Sequence, residues 1–462
     1  MNNSLLLFSI LLYLSLNLWI GWWASRRVKT TKDFVLAGRG LGFMLASMVT
    51  FATWFGSETL TGAPAEFIND GFLGVIEEPF GAALCLILVG VFYARSFYRM
   101  NIITFCDFFR IRFGKSTELI SAIVMVPSYF GWIAAQLVAM GVVLQAVTGL
   151  PLGTGIVISA SIVMIYTIMG GMWSVSITDF LHNVILIAGL LVLGSILLNK
   201  TGGVEQLIGQ SPKGFFRIIP HRFSFVSMAG YVAAWITVGL GSIPQQDIFQ
   251  RVMSSKNENI AVKSSIMAGF MYLTVAMLPL FIALMAKRLY PELMLGDLKM
   301  IIPSMVLKHT GLGVQILFFG AMVSAILSTT SGAILAPAAV IGENVIKFFK
   351  PNMTDAQSLK AIRWSIVGIT LCCILMAMLR QNVYELVGES SAFSLVSLFI
   401  PLTAGLKWQK ANSVGCIASM TMGWGGWFVC YLINTQIPAV LYGLLAGLVG
   451  MVAGSLMFGE RR

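Results

Sequence analysis

The chain has 462 residues, 57% of them hydrophobic and only 11% charged, with a mean hydropathy of +0.86. Soluble domains carry about 25% charged residues, so this composition belongs in a membrane and excludes an ordinary soluble domain. The net charge of +11 would suit nucleic acid, but the charges cluster in short loops between apolar runs; membrane topology accounts for them and no nucleic-acid partner is expected.

A spanning helix needs roughly 20 apolar residues. Such runs fall near 4–24, 43–69, 72–94, 117–147, 153–171, 176–199, 225–247, 259–286, 312–345, 361–380, 383–406, 411–433 and 438–458. They predict an all-α membrane protein of about 13 transmembrane helices. The first run has no basic region before it and no small-residue cleavage site, so it reads as a retained helix, not a signal peptide. With the N-terminus outside, the inner loops hold 21 of the 30 basic residues. These include Arg26, Arg27, Lys29, Lys32 and Arg39, then Arg95, Arg99, Arg110, Arg112 and Lys115, then Arg251, Lys256 and Lys263, and at the end Arg461 and Arg462. That bias predicts a multi-pass protein of the cell membrane with a cytoplasmic C-terminus. No cysteine lies in a segment placed outside and no CxxC occurs, so no disulfide framework is expected.

The stretch 46–74 starts as an apolar helix and then meets Gly56, Ser57, Glu58, Thr59, Gly62 and Pro64 at membrane depth. Glycine and proline weaken a helix, and a carboxylate is costly in hydrocarbon unless it faces protein or water. A span broken there frees backbone groups, which is tolerable only around a cavity. A second interruption, at 231–247, carries Gly239, Gly241, Pro244, Gln245 and Gln246. Each interrupted helix opens a group of five, 43–199 and 225–406. Five is odd, so the two groups enter the membrane from opposite sides, as inverted repeats around a shared site. Residues 1–42 then form an extra N-terminal helix and inner loop, and 407–462 two further helices. In these last two, Gly443, Gly447, Gly450 and Gly454 suit close packing.

In the ninth run, positions i, i+3 and i+4 share one helix face, so the Ala325 carbonyl and the Ser328 and Thr329 hydroxyls converge. Carbonyls freed near Ala52 and Phe55 complete about five neutral oxygens, a set suited to a monovalent hard cation. The plainer alternative is that Ser and Thr bond back to their own helix. Glu58 is the carboxylate beside the break, a partner for a cationic amine or a carrier of a proton. Glu77 and Glu78 would serve the same cavity or sit solvated at the outer interface. Thr59, Trp132, Gln136, Tyr231, Trp235 and Gln245 are candidate lining residues, the aromatic ones otherwise packing. Asp247, Gln250 and Arg251 read as an inner gate, closed by charge pairing or hydrogen bonding to other loops.

Four motifs carry a resemblance over nearly the whole chain: TTKDFVLAGRGLG (30–42), MGGMWSVSITDFLHN (169–183), QQDIFQRVMSSKNENIAV (245–262) and AILSTTS (325–331). In this order and spacing the sequence resembles the sodium:solute symporter family. The resemblance implies the leucine-transporter-like fold, alternating access, and a sodium site on Ala52, Phe55, Ala325, Ser328 and Thr329. It also aligns Asp179 and Ser331 with a second sodium site of some members, with Gly332 where those have another Ser; Asp179 otherwise caps the helix beginning near it. In members that hold a quaternary ammonium in an aromatic cage, Trp54 and Trp132 match two cage positions, while Ala82 and Gln245 replace the other two.

The expected function is sodium-coupled import of a small polar organic solute, with Na+ as coupling ion, the lipid bilayer as environment and a monomer sufficient. A proton-coupled carrier using Glu58 or Asp179 is the alternative. A membrane enzyme finds no HExxH or nucleophile elbow in the chain, and a transporter-like sensor finds no kinase or response module before Arg462.

Overall fold

A computed structural model describes residues 2–221 and 223–458; Arg461 and Arg462, counted above among the inner basic residues, lie outside the described residues. Among the described residues the chain is helical apart from loops and one isolated parallel bridge between Leu41 and Ser255. The membrane helices of the first half are α1 (Asn2–Ser25), α2 (Phe43–Phe51), α3 (Ala63–Asp70), α4 (Ala82–Leu88), α5 (Ala94–Met100), α6 (Lys115–Ser128), α7 (Phe130–Thr148) and α8 (Leu152–Lys200). Those of the middle are α9 (Phe225–Gly241), α10 (Gln246–Ser254), α11 (Glu258–Val275), α12 (Met277–Leu289) and α13 (Leu312–Val340). The last are α14 (Asp355–Leu379), α15 (Val383–Ser394), α16 (Ile400–Lys407), α17 (Ser413–Ile433) and α18 (Ala439–Met457).

Ten helices among the described residues are long and apolar enough to cross a membrane, or eleven if α9 and α10, bent by 48°, form one span. The apolar runs predicted about 13. The difference lies in how consecutive runs join. The 49 residues of α8 would be about 74 Å long at 1.5 Å each, more than twice a hydrocarbon core. A single residue divides them: Gly171, at φ 50° and ψ −146°. A Cβ there would sit 2.5 Å from the Phe34 carbonyl oxygen, so only glycine fits this turn.

The loops separate into two ends. At one end, Leu41 exchanges backbone hydrogen bonds with Ser254 (3.0 Å) and Lys256 (2.8 Å). There too Arg95 and Arg99 both pair with Glu258, at 2.8 and 2.9 Å, and the Thr31 amide donates to Asp355 Oδ2 at 2.9 Å. At the other end, the Phe72 amide donates to the Phe215 carbonyl at 3.0 Å, Lys287 Nζ to the Ile68 carbonyl at 3.0 Å and Lys299 Nζ to the Gln381 carbonyl at 3.0 Å. Loops that the charge count put on the same side therefore touch one another. Arg251 is the exception. It was counted with the loop charges, but it is 1% exposed within α10, where residues 246–255 are buried throughout.

The centre of the bundle is α13, buried without interruption from Phe318 to Val340. A helix apolar on all sides must be surrounded by others, and this one carries Ser328 to Ser331 into the interior. At the periphery, α17 and α18 pack through glycines: a Cβ at Gly454 would lie 2.7 Å from Gly415 Cα, and one at Gly450 2.7 Å from the Ala418 oxygen.

Candidate functional site

The α2 ladder stops at Phe51. Residues 52–56 form turns, a wide helical turn covers Glu58–Gly62, and α3 follows with Pro64 in its first turn. The helix runs on through this proline, and the wide turn before it, in which the Ala63 amide donates to the Glu58 carbonyl five residues back, is the kind of local widening at which a helix takes such an interruption. Gly56 lets the break approach its neighbours: a Cβ would sit 2.5 Å from Gln136 Oε1 and 3.1 Å from Thr329 Cγ2. Gln136 Oε1 instead accepts the Ser57 amide at 3.0 Å.

Thr329 Oγ1, from α13, donates to the freed carbonyls of Ala52 (3.1 Å) and Phe55 (3.4 Å). It does not bond back to Ala325, as the plainer alternative required. Its neighbours do behave in that plainer way: Thr330 donates to the Ile326 carbonyl at 2.5 Å and Ser331 to the Ser328 carbonyl at 2.8 Å. Ser328 Oγ is buried with no partner among the described residues, and Ala325, one turn earlier, is 4% exposed. The Ala52 and Phe55 carbonyls and the Thr329 hydroxyl, none charged, thus meet in the buried interior. That donor set fits a monovalent cation, which would replace the single hydroxyl hydrogen as the positive charge between them.

Beside this cluster lies a narrow cavity of about 20 Å3, room for about one water, bounded by both breaks. The first break and its surroundings contribute Trp54, Glu58, Glu77, Glu78 and Trp132; the second contributes Val238, Ser242 and Gln245; α15 contributes Tyr384, Gly388, Ser390 and Ser391. Glu58 is 2% exposed. Its Oε1 accepts Trp132 Nε1–H at 3.0 Å, and its Oε2 accepts Gln136 Nε2–H at 2.6 Å and the Ser57 hydroxyl at 3.2 Å. Glu78 is 5% exposed, so the solvated-interface reading fails for it. Its Oε1 accepts the Thr59 hydroxyl at 2.6 Å and the Tyr272 hydroxyl. Buried carboxylates need such donors, since a bare charge in a dry interior is very costly.

Of the residues singled out from sequence, Trp54, Glu58, Glu77, Glu78, Trp132 and Gln245 line the cavity. Thr59 and Gln136 stand one bond behind it, on Glu78 and Glu58. Tyr231 and Trp235 lie outside the lining. They pack on each other at 6.4 Å, and Trp235 packs on Phe80 at 6.2 Å. Tyr272, Tyr384, Ser390 and Ser391 were missed. A lone tyrosine inside an apolar run and the Glu-Ser-Ser triplet at 389–391 were the available signals.

At the end bearing Arg39 and Arg95, Tyr129 OH donates to Asp247 Oδ1 at 2.6 Å and accepts the Asp247 amide at 3.0 Å. Gln250 Nε2 donates to the Val35 carbonyl at 3.1 Å. Arg251 bonds backbone, not a carboxylate: Nε donates to the Val49 carbonyl and Nη1 to the Asp247 carbonyl, each at 3.2 Å. Its Nη2 has no partner among the described residues and fills the space a side chain at position 332 would need, 2.5 Å from a Cβ on Gly332. Asp179 is 1% exposed with both carboxylate oxygens unpartnered. It sits inside α8, eight residues after the break at Gly171, so the helix-cap alternative is wrong: an N-cap precedes the first turn.

The profile of the sodium:solute symporter family matches residues 34–423. A high-affinity choline transporter of Caenorhabditis elegans is 25% identical over 453 residues, spanning 92% of this chain and 77% of that protein. A sodium/pantothenate symporter of Haemophilus influenzae is 24% identical over 471 residues, spanning 94% and 93%. Among solved structures, the outward-open state of a Na+-coupled sialic acid symporter superposes with a TM-score of 0.84 at 19% identity, over 99% of this chain and 98% of that one. A likeness at that identity is one of fold.

Proposed function

Because the chain belongs to the sodium:solute symporter family, we propose that it is a sodium-coupled symporter importing a small polar organic solute by alternating access. The observation that carries this reading is the Thr329 hydroxyl shared between the Ala52 and Phe55 carbonyls, beside an orphaned Ser328 hydroxyl. A hydroxyl serving only its own helix would have bonded back, as Thr330 does. Sodium on this cluster would tie the first break to α13, and the cavity next to the cluster would receive the solute. Binding of either ligand then favours the other, because both hold the same break in place.

One sodium crossing 100 mV contributes about 2.3 kcal/mol, roughly a fifty-fold concentration ratio. The reading carries one sodium per cycle. At the aligned second site Arg251 Nη2 occupies the space beside Gly332, and a fixed guanidinium there opposes a second cation. Proton coupling through Glu58 is less well supported, since three donors already converge on its oxygens. The relatives are transporters, which favours transport over an enzymatic or sensory role.

The proposed architecture has 13 crossings, reached by dividing the continuous helices at Gly171 and at the break before Glu78 and by counting the interrupted α2–α3 and α9–α10 as one span each. Repeats at 43–199 and 225–406 would be inverted, with extra helices at 1–42 and 407–462. The end bearing Arg39, Arg95 and Arg99 would face the cytoplasm, and one chain would suffice for transport. Counterflow in vesicles, with sodium replaced by potassium at several pH values, tests the coupling: uptake should follow sodium. Uptake that follows pH and ignores sodium would refute it.

A further inference from the structure

The cavity between the two breaks has an unbalanced electrostatic lining. Glu58, Glu77 and Glu78 border it, with Trp54, Trp132 and Tyr384, and no lysine, arginine or histidine is among the lining residues. Hydrogen bonds account for only part of the acceptor capacity. Glu58 takes three donors and Glu78 Oε1 takes two. Glu78 Oε2 takes none, although the residue is 95% enclosed at 5% exposure, and neither oxygen of Glu77 has a hydrogen-bond partner among the described residues. Two adjacent carboxylates with unused lone pairs therefore border this space, Glu78 buried and Glu77 half-buried.

We propose that the solute is a protonated amine that bears at least one N–H and carries no carboxylate; this rests on the symport reading above. A cation offsets the mutual repulsion of carboxylates in a medium of low dielectric. N–H donors complete the unused lone pairs of Glu78 and Glu77 as charge-assisted hydrogen bonds. The indoles and the tyrosine offer faces to the remainder of the cation. An anionic solute would meet three carboxylates and no cationic side chain, and a fully substituted ammonium would leave the free oxygens unpaired. A site whose free acceptors meet N–H groups favours ligands that carry them over analogues that lack them.

The test uses the purified full chain and its thermal unfolding temperature with ethanolammonium, tetramethylammonium, glycine or acetate, each in sodium and in potassium. Ethanolammonium should stabilise, more so in sodium, and bind at least about tenfold more tightly than tetramethylammonium. Glycine and acetate should give no shift. Glu78→Gln should weaken ethanolammonium at least about tenfold. Because that variant can fail to fold, Glu77→Gln, whose side chain makes no protein hydrogen bond, should weaken it in the same direction. Stabilisation by acetate or glycine without ethanolammonium, equal binding of tetramethylammonium, unchanged affinity in Glu77→Gln, or no shift with ethanolammonium overturns the solute class. Ethanolammonium binding that is indifferent to sodium supports the solute class and instead defeats sodium coupling, so the two failures are distinguishable.

Discussion

Replacing Thr329 by Val keeps the side-chain volume almost unchanged and removes one oxygen. In the protein that oxygen lies 3.1 Å from the Ala52 carbonyl and 3.4 Å from the Phe55 carbonyl, on residues 4% and 1% exposed. Two buried acceptors then lose a donor, and leaving a buried polar group unsatisfied costs about 1–3 kcal/mol. For sodium the loss is one of about five ligand oxygens. At about 2 kcal/mol for that ligand, the half-saturating sodium concentration rises roughly thirty-fold. Titrating sodium against the unfolding temperature, at constant ionic strength with potassium, measures the shift directly, and counterflow in vesicles measures its effect on transport. Thr329→Ser keeps the hydroxyl and should stay near the native curve. A Thr329→Val curve that overlays the native one would show that this hydroxyl does not hold the coupling ion, and the site assignment would fall with it.

The combined Ser328→Ala and Thr329→Ala change should abolish the sodium response of both assays while the chain remains folded. Glu58→Gln turns an amide NH2 toward donors from Trp132, Gln136 and Ser57; uptake should fall at least about tenfold, with about 1–3 kcal/mol lost locally. Gly332→Ser puts a Cβ 2.5 Å from Arg251 Nη2, which should displace the guanidinium and lower both uptake and the unfolding temperature. Tyr129→Phe leaves Asp247 without its Oδ1 partner, while Oδ2 already has none; amide exchange across residues 246–255 should speed up, and unchanged protection would argue against an inner closure there. Gly454→Leu should act on packing alone. Its Cβ would meet Gly415 Cα at 2.7 Å, backbone that cannot turn aside, so about 1–3 kcal/mol of stability is lost with the sodium response intact.

The two interrupted helices were legible because glycine, proline and polar residues at membrane depth have few physical explanations. The bend at 242–245 and the turns at 52–56 fall where those residues fall. The Ser328–Thr329 pair was legible from helical spacing, but spacing could not say whether the hydroxyls face inward or bond back. Both outcomes occur within four residues: Thr329 reaches across to another helix while Thr330 and Ser331 bond to their own. For Tyr231 and Trp235 the sequence left lining and packing open, because aromatic residues near a break pack as readily as they line a cavity; here Trp235 packs on Phe80 and on Tyr231. The depth of Glu78 was invisible in the chain, since residues 77 and 78 stand at the edge of an apolar run that the fold turns inward.

Composition and the placement of charges were enough to put this chain in a bilayer and to sort most of its loops between two sides. These properties depend on local hydropathy and on few long-range contacts. Which oxygens converge, which carboxylates keep free lone pairs, and where Arg251 rests were decided only by packing segments far apart in sequence: Thr329 on Ala52, Trp132 on Glu58, Arg251 on Val49 and against Gly332. A binding site in a membrane bundle is made of such cross-helix neighbours, and their pairing is a property of the folded bundle that no single helix carries.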